Sequence, residues 1–213
     1  MKNQLLEFRS TSNNLFFKSS FKMLSILLIL LGYSMVLSAS DFVVDKVLSK
    51  VKWEAKKVTG KHNGSISFEN GSVLVTNNKI SGGTFIIDMK TIVDEDLTDT
   101  GMNQKLMGHL ASDDFFSVAK FPESKMVIKK VTLIAGDEYH FLADLTIKGM
   151  TNPVEFNAKF TVNGDKLTSE GVITVNRTLF GIKYGSGSFF QGLGDKVIYD
   201  DFTLAFNIVA QKK

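Results

Sequence analysis

The chain has 213 residues, 22% of them charged and 44% hydrophobic, with a formal net charge of +3, 18 Phe, a single Trp and no Cys. That length holds one domain or two small ones, and the missing cysteines exclude a disulfide framework, a thiol nucleophile and a cysteine-ligated metal. Residues 1–40 carry four of the 25 basic and one of the 22 acidic side chains, leaving 21 of each and no basic face for nucleic acid.

Lys2, Arg9, Lys18 and Lys22 precede an apolar run from Met23 to Leu37, and Ser38-Ala39-Ser40 follows it. A basic segment, a short apolar stretch and small residues predict a cleaved signal peptide over 1–40 and an exported protein. The run is too short for a comfortable membrane span. Translation from Met23 would keep none of the basic residues. The domain itself is expected over 41–213, held together by its core alone.

Val51, Trp53 and Ala55 alternate with Lys50, Lys52, Glu54 and Lys56, the period of a strand with one wet face. Ile66 and Phe68 lead into Glu69-Asn70-Gly71 and Val73 and Val75 lead out, which predicts an Asn-Gly hairpin. Thr84 to Ile87 is a further strand. From Asp94 to Ala119 the period changes: Met102, Leu106, Met107 and Leu110 recur at helical spacing, and Ser112-Asp113-Asp114 resembles the N-cap of a second short helix. This helical insertion, near residues 98–118, ends at Phe121-Pro122 and is suited to plug or lid one end of a barrel.

Strand signals then resume with Lys125 to Ile134. Tyr139, Phe141, Ala143, Leu145 and Ile147 share one parity, and Val154, Phe156, Ala158, Phe160 and Val162 share the next. Asn163-Gly164-Asp165 turns into Leu167 to Val175, and Phe202, Leu204, Phe206 and Ile208 form the last period-2 run. About eight strands at hairpin spacing predict an all-β fold, an antiparallel sandwich or barrel in a single domain.

Few residues carry recognisable chemistry. His62, His109 and His140 have no His, Asp or Glu partner at metal-ligand spacing, so no metal site is expected. Gly-x-Ser-x-Gly is absent, and Gly185-Ser186-Gly187-Ser188 is expected to be a flexible turn leading into Phe189-Phe190. The pairs Asp113-Asp114 and Asp200-Asp201 fit a helix cap and a strand start better than a catalytic dyad. Arg177, the only arginine after residue 40, continues the apolar parity of Ile173 and Val175. A guanidinium there must pair with a barrel Asp or meet a polar lipid head group, and Tyr184 lies near enough in sequence to share the second role. The inward rows, Trp53, Phe85, Phe141, Phe156, Phe160 and Phe206, fit a packed core and a ligand-holding barrel equally well.

The motifs Asp45-x-x-x-Ser49-x-Val51-x-Trp53, Val58-Thr59-Gly60, His109-Leu110 with Asp113-x-Phe115-Phe116, Lys120-Phe121-Pro122, Leu145-Thr146-Ile147-Lys148-Gly149 with Thr151, and Asn176-Arg177-Thr178-Leu179-Phe180-Gly181 occur in that order. Together they make the stretch from about Asp45 to Ala210 resemble the YceI-like family of exported, lipocalin-like polyisoprenoid-binding proteins. The resemblance implies an antiparallel, lipocalin-like eight-stranded barrel with a hydrophobic tunnel, export to the periplasm, no catalytic residues and no cofactor. The implied ligand is an isoprenoid-type lipid, such as a polyprenyl chain or a quinone tail. The sequence departs from the family at His62, where many relatives carry Phe, and in the longer stretch from Tyr184 to Asp201.

The candidate ligand-binding residues are therefore Trp53, Phe85, Phe115, Phe116, Phe141, Leu145, Phe156, Phe160, Ile173, Arg177, Tyr184, Phe189 and Phe190. The expected partner is an isoprenoid or another long-chain amphiphile and not nucleic acid; transient membrane contact and a homodimer stay open. Two other classes compete with this reading. An enzyme acting on a lipid or quinone would draw on His109, Arg177 and the acid pairs, which nothing in the sequence brings together. An outer-membrane barrel would turn its apolar face to lipid.

Overall fold

In the computed structural model, residues 39–213 are described; the predicted leader lies outside them except for Ala39 and Ser40, which open the first strand. The described chain forms β1 (Ala39–Val44), β2 (Lys50–Lys57), β3 (Gly60–Thr76), β4 (Lys79–Asp94), α1 (Thr100–Ala111), β5 (Glu123–Ala135), β6 (Glu138–Ile147), β7 (Met150–Asn163), β8 (Lys166–Asn176) and β9 (Ile198–Lys212). Strands β2 to β9 pair antiparallel in chain order, and β2 closes on β9, giving an eight-stranded barrel with no free edge along that seam. β1 extends the seam beyond β2, pairing with the far half of β3 and the end of β9. The all-β barrel with one short helix is thus the predicted fold.

Parity sets which side chains face inward. Tyr139, Phe141, Ala143, Leu145 and Ile147 are all buried, whereas Asp144, Thr146 and Lys148 lie on the wetter face. The apolar face therefore turns in and the charged face out, the reverse of a membrane barrel. No helix among the described residues is long and apolar enough to cross a membrane.

The turn chemistry corrects one expectation. Glu69-Asn70-Gly71 is not a hairpin: β3 runs through it, and the register slips between Phe68 and Asn70, as at a bulge. Gly71 is required by close packing, since a Cβ there would lie 2.9 Å from Val44 Cγ2 and 3.1 Å from Phe85 Cδ1. The chain reverses instead at Asn77-Asn78, where φ is 51° and 59°. Two consecutive positive φ values define a type I′ turn, whose twist matches that of the flanking strands. Lys148-Gly149 makes the same turn between β6 and β7.

The helical insertion contains one α-helix and not two. Asp99 caps α1 by accepting the Met102 N–H at 2.8 Å, and Ser112 ends it, its N–H and hydroxyl both donating to the His109 carbonyl. Ser112 thus serves the C-terminus of α1; residues 113–121 are turns tied by Ser117 and Lys120 to Asp113. Asp99→Ala is expected to cost about 1 kcal/mol, the usual worth of an N-cap, as a lowered urea midpoint with an unchanged barrel signal in far-UV circular dichroism.

The interior has two halves. In one, Phe42, Val73, Phe141, Ala143, Leu167 and Ala210 are almost completely buried and fill the space. In the other, the large apolar side chains of the strands leave space between them.

Candidate functional site

That second half encloses a cavity of about 160 Å³. β2 contributes Val51, Trp53 and Ala55; β3, Ile66 and Phe68; β4, Phe85, Ile87, Met89 and Ile92; β6, Leu145 and Ile147; β9, Phe202, Leu204, Phe206 and Ile208. Leu110 of α1, with Phe115 and Phe116 just beyond it, closes over these strands from the insertion, so the helical segment does lid the hollow half. Eight phenylalanines stand in the wall, and its only charged members are Lys125 and Arg177. Its other polar groups are mostly engaged. The Trp53 indole N–H donates to the Val93 carbonyl at 3.1 Å, leaving the ring's apolar face to the cavity, and the Ser124 hydroxyl donates to the Met89 sulfur. An apolar cavity near 150 Å³ stays dry and accepts a benzene-sized molecule; a longer chain needs the half-buried side chains of β5 and β9 to give way.

Arg177 sits at the edge of this cavity and is 4% exposed. All five of its donors are used by the protein. Nε donates to Tyr199 O, Nη1 to Ile182 O and Tyr184 O, and Nη2 to Ile198 O and, at 3.5 Å, to Asp200 Oδ1. The guanidinium thereby ties the start of the loop that follows β8 to the first residues of β9. Burial pulls its pKa down, and Asp200 pushes it back up. Asp200 stays below the ordinary carboxylate range: burial would raise it, but hydrogen bonds from Ser186 and Ser188 and the charge of Arg177 outweigh that. Arg177 is thus paired within the protein, with backbone carbonyls as its main acceptors and Asp200 as its counter-charge. No donor is left for a lipid head group.

The other predicted residues divide cleanly. Trp53, Phe85, Phe115, Phe116, Leu145, Phe156, Phe160 and Ile173 line the cavity with Arg177, whereas Phe141, Tyr184, Phe189 and Phe190 do not. Phe141 is 1% exposed and backs the wall, stacked on Phe156 at 5.2 Å and beside Phe160 at 5.1 Å. Tyr184 offers Arg177 its carbonyl and not its hydroxyl, and its ring packs edge-on against His109 at 4.4 Å, outside the lid. Phe189 and Phe190 are about half exposed, and Phe189 lies under the Lys183 ammonium. The Gly185–Ser188 segment is not the flexible turn expected, because Ser186 is fully buried and Ile198 N donates to Gly185 O at 2.8 Å.

Phe202, Leu204 and Ile208, which share the inward parity of Phe206, also stand in the wall. Ile182 has no sequence signal, since it is buried only because Arg177 folds its loop inward. His62, which has no partner at metal-ligand spacing along the chain, is brought beside Asp94 at the end of β4 and Asp96 just after it, a grouping hidden by more than thirty residues of intervening chain.

Fold and site together define a closed, meandering antiparallel barrel with one packed and one hollow, apolar half. The chain belongs to the YceI-like family, whose domain model matches residues 42–210. It is 36% identical over 91 residues to a UPF0312 protein of Pseudomonas putida, covering 40% of this chain and 47% of that one. The chain thus spans about half the length of the curated relatives it matches. Among solved structures it is similar to BcnA of Burkholderia cenocepacia, with 24% identity, a TM-score of 0.63 and coverage of 79% of this chain and 99% of that one. A polyisoprenoid-binding domain from Saccharophagus degradans shares the fold at 12% identity and a TM-score of 0.56, covering 83% of this chain and 99% of that one.

Proposed function

We propose that this protein is an exported, non-catalytic binding protein that holds an isoprenoid-type lipid, a polyprenyl chain or a quinone tail, in the hollow half of its barrel for transport, storage or sequestration. The observation that carries the reading is the wall: eight phenylalanines and a belt of aliphatic side chains surround a cavity of about 160 Å³. Affinity then comes from removing an apolar tail from water, at about 25 cal/mol per Å². The Saccharophagus domain, described as polyisoprenoid-binding, supports the ligand class. A binding role is also supported by the engagement of Arg177 and Ser124 within the protein, which leaves neither poised for acid–base work. Because Arg177 is consumed, the polar end of the ligand is proposed to sit outside the wall, in water or at a membrane surface. Export rests on the basic, apolar and small-residue order of residues 2–40.

Native mass spectrometry of the purified protein, followed by organic extraction, tests this. A copurifying long-chain amphiphile, or uptake of an added isoprenoid quinone at one per chain, is the expected result. A protein that is empty and takes up neither quinone nor polyprenyl alcohol overturns the reading.

A further inference from the structure

Near the start of α1, three side chains form a cluster that the lipid-binding reading does not use. His62 of β3, Asp94 at the end of β4 and Asp96 two residues later each present a ligand atom, all within 4.8 Å of one another. His62 Nδ1 lies 3.0 Å from Asp96 Oδ2 and 3.9 Å from Asp94 Oδ2.

The two carboxylates are held from behind. Asp94 Oδ1 accepts the Leu97 N–H at 2.9 Å and the Asn103 side-chain amide at 3.1 Å, while Asp96 Oδ1 accepts the Asn63 N–H at 2.7 Å. Each thus spends one oxygen on fixing its orientation and turns the other toward the imidazole, the arrangement in which outer hydrogen bonds aim metal ligands. The Asp94 side chain is fully buried, and its Oδ2 has no hydrogen-bond partner. A buried carboxylate oxygen without a partner is costly, and it points at the other two donors. Lys61, next to His62 in sequence, is committed to Glu54 at 2.7 Å.

We propose that His62, Asp94 and Asp96 form a binding site for a first-row divalent cation of the Zn²⁺ type. One imidazole nitrogen with two carboxylate oxygens is a mixed donor set of borderline hardness, which favours such ions over Mg²⁺ or Ca²⁺, whose sites are built from oxygen alone. Ligand bonds of about 2.0–2.2 Å place donor atoms roughly 3.4 Å apart around a tetrahedral ion, so the cluster needs only small closing movements. Three protein ligands leave a further position for water. Because Asn103 of α1 shares Asp94, the ion fastens the base of the lid to the barrel wall.

Isothermal titration calorimetry of chelator-treated protein with ZnCl₂, with MgCl₂ and CaCl₂ as comparison ions, tests the site independently of lipid binding. The expected result is one Zn²⁺ per chain at micromolar Kd or tighter, with a raised melting temperature. His62→Gln and Asp94→Asn are each expected to weaken binding at least 10-fold, and His140→Gln to leave it unchanged. Asp94→Asn also disturbs the start of α1, so the half-buried His62→Gln variant decides the matter if the first fails to fold. Absence of stoichiometric Zn²⁺ binding overturns the proposal. So does binding that survives His62→Gln, or a preference for Mg²⁺ or Ca²⁺.

Discussion

Replacing Arg177 with Met is expected to lower stability by about 3–5 kcal/mol, the range for removing one partner of a buried charged network. The methionine fills much of the same volume but donates nothing, which leaves the carbonyls of Ile182, Tyr184, Ile198 and Tyr199 without the guanidinium that joins them. Asp200 loses its buried counter-charge at the same time. With a urea m-value of about 2 kcal/mol/M, the midpoint falls by roughly 1.5–2.5 M. Arg177→Lys is expected to recover less than half of the loss, because an ammonium has three donors on one atom and cannot span four carbonyls and a carboxylate. Chemical denaturation followed by far-UV circular dichroism measures this. The competing role, a head-group anchor, predicts the opposite pairing of effects: near-normal stability and a large loss of lipid affinity.

Ala55→Phe is expected to leave stability within about 1 kcal/mol of the parent, as when an added group enters existing space without strain, and to weaken lipid binding about 70-fold. Ala55 lies on the cavity side of β2, half-buried, where the added phenyl group has open space to enter. A cavity of about 160 Å³ accommodates roughly one ring. Displacing about 100 Å² of buried tail at about 25 cal/mol per Å² removes about 2.5 kcal/mol, nearly two powers of ten in Kd. Competition binding against a fluorescent lipid reads the affinity, and a melt of the same sample reads the stability. An unchanged affinity would place the ligand elsewhere on the molecule.

The barrel is legible because a one-faced strand writes its burial into alternate residues, and parity turns Trp53, Phe85, Phe156 and Phe160 inward without saying whether they fill a core or line a cavity. Parity does not say how far a row reaches past the wall. Phe141 shares its parity with Leu145 but lies in the packed half of the interior, behind two other rings. Arg177 was recognisable as a buried charge, but its partners were not. Four of them are backbone carbonyls, two in the loop after β8 and two at the start of β9, and any residue types can supply those. At Asn70-Gly71 the local turn preference pointed the wrong way, because that glycine answers to Val44 and Phe85 across the barrel. His62, Asp94 and Asp96 illustrate the same limit: a constellation built by strand pairing leaves no spacing in the chain.

Trp53 is the chain's only tryptophan and stands in the cavity wall, so its fluorescence reports on the cavity without labelling. Titration of the purified protein with a short-tailed isoprenoid quinone, which quenches a nearby indole, is the most direct test of the proposal that this cavity holds the lipid. Saturable quenching at one quinone per chain, reversed by a polyprenyl alcohol that lacks the quinone ring, is the predicted result. Emission that stays constant, or falls linearly without saturation or competition, would contradict it.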